Sequence, residues 1–163
     1  MESRSSLNFN SNFGSWRILA SEDFILSISL EKNISDNHDQ LINALCKEAK
    51  SQLLAYFERQ LKIFDLPLNT QAHTPFNQQV WSKVAEIPFG ATLSYTELAL
   101  QVNNLKAIRA VGTANGKNPF PIVIPCHRVI GKDGSLTGYA YGLELKRKLL
   151  VHEGIIADSP TLF

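Results

Sequence analysis

The sequence predicts a mixed α/β chain built as two small domains, residues 1–73 and 74–163. Three observations predict it. In the first half, short apolar runs flank one long amphipathic helical stretch. A polar segment, NTQAH (Asn69–His73), then breaks the pattern. Beyond it, two short helical stretches joined by a polar turn carry their own start and stop signals. The chain has 163 residues, 44% of them hydrophobic, enough to build a core. No apolar run approaches the roughly 20 residues that span a bilayer.

The elements follow in order. SWRILAS (Ser15–Ser21) and FILSISL (Phe24–Leu30) read as strands around the acidic pair Glu22-Asp23. His38–Gln60 reads as a helix, with Ile42, Leu45, Ala49, Leu53 and Phe57 at helical spacing. Lys62–Leu68 reads as a third strand, and the first dozen residues give no reading. Thr74 caps a helix that opens on Pro75, buries Phe76, Val80, Val84 and Ile87, and stops at Pro88. Ser94 and Glu97 form a capping box, so another helix starts at Tyr95. After Asn103-Asn104 a second short helix runs to Gly116 and Pro119; the pair resembles a helix-turn-helix. Ile122-Val123-Ile124 reads as a short strand fenced by Pro119, Pro121 and Pro125. A glycine-rich loop, Gly131–Gly142, leads into a last helix ending at Gly154.

The net charge of +1 is unevenly spread. Residues 1–73 hold 7 basic and 9 acidic side chains, residues 74–163 hold 9 and 6. The mildly basic second half permits nucleic-acid binding without requiring it. The N-terminus lacks the apolar stretch of a secretory signal, so a cytoplasmic protein is expected. Its two cysteines, Cys46 and Cys126, are no disulfide framework.

Spacing leaves Cys126 with competing readings. A buried, inert thiol after an apolar strand is common. A zinc site needs about four Cys or His ligands at set spacings, which two cysteines and four histidines without C-x-x-C do not offer. A nucleophile needs help, since at a pKa of about 8.5 only about 3% of a thiol is ionised at pH 7. His127 is the adjacent base, but neighbours on extended backbone point to opposite sides, so a bend or a bridging water has to couple them. On the second helix of the pair, Ala107, Ala110, Gly112 and Ala114 are small, and composition alone favours close packing against a neighbouring helix over approach to a ligand.

The run PIVIPCHRVIG resembles the active-site signature of the O6-alkylguanine-DNA alkyltransferases, or methylated-DNA–protein-cysteine methyltransferases. FGATLSYTELA, KAIRAVGTANGKNP and GYAYGLELKRKLLVHEG extend the resemblance, in order, over nearly all of residues 75–156. The N-terminal part matches only in length and strand–helix–strand character. The resemblance implies a ribonuclease-H-like α/β domain followed by a winged-helix-like helix-turn-helix domain. It implies direct, single-use transfer of the alkyl group from O6-alkylguanine, with O4-alkylthymine as a further candidate substrate. It implies no cofactor, a monomer, and double-stranded DNA as partner.

The same resemblance carries roles onto individual residues. Cys126 matches the alkyl acceptor, His127 its water-mediated base and Glu153 the carboxylate that orients the imidazole. Tyr95 matches a phenol that hydrogen-bonds the departing guanine, and Asn118 a hinge between the DNA-binding helix and the active segment. Arg109 matches the arginine finger that fills the gap left by a flipped nucleotide. Ala107, Ala110 and Gly112, with Tyr95, match a face that enters the minor groove. Val129, Tyr139, Ala140 and Tyr141 match the base pocket, Val129 and Ala140 largely through backbone groups. Tyr141 stands where many members carry glycine, and Ala140 where some carry serine. Some relatives hold zinc with two cysteines in the N-terminal domain; Cys46 is alone there, so no metal is expected. Alkyltransferase-like lesion binders, the alternative reading, replace the acceptor cysteine, typically by tryptophan. A cysteine hydrolase is the third, and it usually draws its histidine from a distant part of the chain. Arg128 is left between binding a phosphate and pairing with a carboxylate.

Overall fold

The computed structural model describes residues 2–35 and 41–158. The chain divides into two compact units, residues 1–74 with 119–123, and residues 75–118 with 124–163.

The first unit is a three-stranded antiparallel sheet, β1 (Ser5–Ser11), β2 (Gly14–Ala20) and β3 (Ile25–Glu31), in the order β1-β2-β3. Strand β1 lies in the N-terminal stretch that gave no reading; its alternation, with Leu7 and Phe9 inward, is diluted by serine and asparagine. Its hairpin partner starts at Gly14, where φ is +114° and a Cβ would come within 2.6 Å of Leu30 Cδ1. Helix α1 (Ala44–Phe57) is shorter than expected, and residues 38–40 of that expectation lie outside the described residues. Asn43 sets its start. The Asn43 side chain accepts from Cys46 N–H at 2.9 Å and donates to Ser21 O at 2.9 Å, joining cap to sheet.

The strand expected at Lys62–Leu68 is absent. Only a single bridge, Ile25 with Leu68, forms there. Ile63 is 83% exposed, so the run never buries a face. Gln52 instead clamps the backbone of Asp65 through both ends of its amide.

The second unit begins with α2 (Pro75–Ala85). The capping box forms as read: Glu97 N–H donates to Ser94 Oγ at 3.0 Å, and Ser94 N–H to Glu97 Oε2 at 2.7 Å. Helix α3 (Tyr95–Gln101) follows it. Residues Leu105–Ala107 make one 3-10 turn before α4 (Ile108–Gly116). Trp81 Nε1 donates to Ala114 O at 2.8 Å in the buried contact of α2 with α4. Short strands β4 (Leu93–Ser94) and β5 (Val129–Ile130) pair in parallel, tying the start of α3 to the segment after Cys126. Helix α5 (Leu143–His152) ends one residue before Glu153, and Gly154 turns the chain at φ +75°.

The strand expected at Ile122–Ile124 is a turn, with Ile122 at φ +73°. Three flanking prolines deny it a hydrogen-bonded ladder.

Candidate active site

Cys126–Arg128 winds into a 3-10 turn, not the extended backbone expected. Arg128 N–H donates to Pro125 O at 2.9 Å, and Val129 N–H to Cys126 O. Side chains about 120° apart on such a turn no longer face opposite ways. The bend that Cys126 and His127 need is therefore built into the chain. Both are buried.

Two amides fix this turn. Asn115 Nδ2 donates to Cys126 O at 3.2 Å, and Asn118 Nδ2 to Ile124 O at 2.7 Å. The Asn118 side chain also hydrogen-bonds the Cys126 thiol. Burial pushes that thiol up; the Asn118 bond and then the Lys146 charge pull it back.

Glu153, buried just past α5, organises the imidazole. Its Oε2 takes His127 Nε2. Its Oε1 accepts from Arg128 Nε at 2.8 Å and from Gly90 N–H at 3.1 Å. Burial alone would raise this carboxyl, but bonds to His127 and the charge of Arg128 overcome it and hold it at about 2. Burial pushes the His127 imidazole below its ordinary value, against the pull of Glu153. That direction favours the neutral ring at pH 7. Glu153 holds the proton on Nε2, and the lone pair stays on Nδ1. His127 Nδ1 is buried without a hydrogen-bond partner among the described residues. A native buried nitrogen left this way is unusual and suits a waiting base.

Tyr95, first residue of α3, is half-buried. Its hydroxyl donates to Thr137 O at 3.0 Å and lies 3.3 Å from Gly138 O. Burial raises its phenol, and the neighbouring Cys126 charge raises it further. Cys126, His127, Glu153, Asn118 and Tyr95 thus form one connected set. Tyr139 and Tyr141 meet edge to face, centroids 5.9 Å apart, with exposed Ala140 between them in sequence. Val129 is buried beside the set.

The predicted helix residues are more exposed than this cluster. Arg109 and Ala110 are exposed on α4, and Ala107 and Gly112 are half-exposed. A Cβ on Gly112 would sit 3.7 Å from the Tyr95 ring, an ordinary contact. Packing within the fold therefore does not require glycine there. Ala114 does face the core and takes the Trp81 bond, so close packing accounts for that one.

A model of the 6-O-methylguanine DNA methyltransferase DNA-binding domain matches residues 75–155. A methylated-DNA–protein-cysteine methyltransferase of Methanosarcina acetivorans is 52% identical over 108 residues, covering 66% of this chain and 69% of that protein. The chain belongs to the methylated-DNA–protein-cysteine methyltransferase family. A constitutive member from Bacillus subtilis is 51% identical over 109 residues, 66% of each chain. The crystal structure of Mycobacterium tuberculosis OGT in complex with DNA matches with a TM-score of 0.82 and 37% identity, covering 93% of this chain and 94% of that one.

Gly90, Asn115 and Lys146 of this methyltransferase-family site escaped the sequence reading. Arg128 pairs with a carboxylate, the second of its two readings, and also donates to Ile87 O at 2.6 Å. Gly90 bonds Glu153 at φ +82°, where glycine is favoured. Lys146 is fully buried on α5. Its spacing with Leu149 and Leu150 places it on the helix's apolar face, a signal available in the sequence.

Proposed function

We propose that this protein repairs DNA by moving the alkyl group of O6-alkylguanine onto Cys126, once per molecule. The observation that carries this is the buried Cys126–His127 turn with Glu153 on Nε2 and Nδ1 left open. The thiol proton passes through water to His127 Nδ1. Sγ attacks the alkyl carbon in line, the S–C bond forms, and the C–O6 bond breaks with its electrons going to the base. Tyr95 turns its hydroxyl from the Thr137 carbonyl to donate to the departing guanine, which would otherwise leave as a poorly stabilised anion. The product thioether has no leaving group to restore the thiol, so the protein is consumed.

DNA is held by α3 and α4, with α4 in the minor groove. The smallness of Ala107, Ala110 and Gly112, which the fold itself does not demand at Gly112, supports that placement. Exposed Arg109 enters the stack as the damaged base flips out. Binding is phosphate-driven and weakens with salt. The three-stranded sheet with α1 supports a ribonuclease-H-like N-terminal domain, and β4–β5 beside the helix pair a winged-helix-like second one. The protein acts as a monomer in the cytoplasm, without metal or cofactor. Cys126 itself disfavours a non-catalytic lesion binder.

Stoichiometry tests the reading. Product formed from excess methylated duplex should level off at one methyl per protein; continued turnover would point to a cysteine hydrolase or acyltransferase instead. Arg109→Ala should reduce base flipping, read by 2-aminopurine fluorescence, about tenfold more than it reduces initial binding. Tyr141→Gly should speed transfer from O6-benzylguanine several-fold while leaving methyl transfer unchanged, because the ring narrows the mouth of the pocket. Equal benzyl rates in both proteins would remove Tyr141 from the specificity account.

A further inference from the structure

Lys146 is fully buried, and no carboxylate among the described residues pairs with it. Lysines are almost never buried completely without a partner. A buried, unpaired ammonium is among the costliest groups a fold can carry. Its Nζ donates to Val129 O at 2.6 Å and Thr137 O at 3.0 Å, two neutral acceptors. It lies 5.8 Å from the centroid of the Tyr95 ring. Tyr95 hydroxyl bonds the same Thr137 carbonyl. The groups able to become anionic beside it are Cys126 and Tyr95. The only carboxylate of the cluster, Glu153, is committed to His127 and Arg128.

We propose that Lys146 is a positioning residue whose fixed charge stabilises the Cys126 thiolate and whose Thr137 contact holds Tyr95 in place. This rests on Cys126 being the acceptor. The anion that the resting fold withholds from Lys146 is supplied when the thiol ionises. The same charge disfavours a proton on His127, which keeps that ring a base. Burial brings the Lys146 ammonium down to about 8, opposed by the Cys126 charge, so it remains mostly protonated at neutral pH. The groups facing the thiol are then Lys146, Tyr95, Asn118 and His127, with Glu153 and Arg128 behind the imidazole.

The test uses the full chain without DNA, so it does not depend on alkyl transfer. Iodoacetamide modification of Cys126, resolved from Cys46 by peptide mass mapping, is followed against pH. Lys146→Met should move the midpoint up by about one pH unit and slow modification at neutral pH about tenfold. Lys146→Arg should restore most of it. An unmoved midpoint in folded Lys146→Met would overturn the proposal. Should that variant not fold, the reciprocal coupling is read in the intact fold. The Lys146 Nζ titration, followed by NMR, should fall in Cys126→Ser relative to wild type; an unchanged midpoint would equally overturn it.

Discussion

Cys126→Ala is expected to abolish alkyl transfer while leaving affinity for lesion-bearing duplex within a few-fold of wild type. On the proposed reading the thiol is the nucleophile, and His127 Nδ1, the other open lone pair of the cluster, takes its proton. His127 is tied to Glu153, Asn118 to a backbone carbonyl, and Lys146 to two. On the proposed reading, DNA affinity comes instead from exposed Arg109 and Ala110 on α4 and from phosphate contacts, none of which needs the thiol. Removing one sulfur from a buried site should cost stability only modestly, about 1–2 kcal/mol. Single-turnover transfer and fluorescence anisotropy on the same preparation separate the two effects. Transfer persisting in the alanine variant would contradict the assignment.

Glu153→Gln should have the next largest effect, on both rate and acid stability. The glutamine cannot fix the imidazole tautomer or its positive charge, so transfer should slow on the order of 10²-fold. The carboxyl sits at about 2 in the fold against 4.5 for the free group. Its contribution is thus complete above pH 4.5 and drains away as pH falls toward 2, about 3 kcal/mol in all. His127, held below its ordinary 6.5 by burial, adds a loss in the same direction from about pH 6.5 downward. Urea melts of both proteins between pH 7 and 2.5 should therefore converge at the acid end. A constant gap across that range would mean that Glu153 is not ionised against His127 and Arg128.

Legibility in the sequence followed local chemistry. The Ser94–Glu97 box, Pro75 and Gly154 placed three helix ends because capping acts within a few residues. Strand β1 was missed because asparagine and serine fill its solvent side. Lys62–Leu68 and Ile122–Ile124 were misread because apolar runs look alike whether they pair in a sheet or turn between prolines. Within the site, spacing offered Cys126 and His127 as a candidate pair without deciding it, and Glu153 was legible only through resemblance. Their coupling spans 25 and more residues, and no periodicity encodes it. Lys146 was overlooked for an opposite reason. A charged residue amid apolar neighbours reads as surface until its burial is known.

The most direct test of the account is where the methyl goes. Duplex DNA carrying radiolabelled O6-methylguanine is mixed with the wild-type protein, which is then digested and mapped. The account predicts the label on the peptide containing Cys126, as S-methylcysteine, at one per chain and no more. Label on Cys46 or elsewhere, or tight binding with no label on the protein, would contradict it.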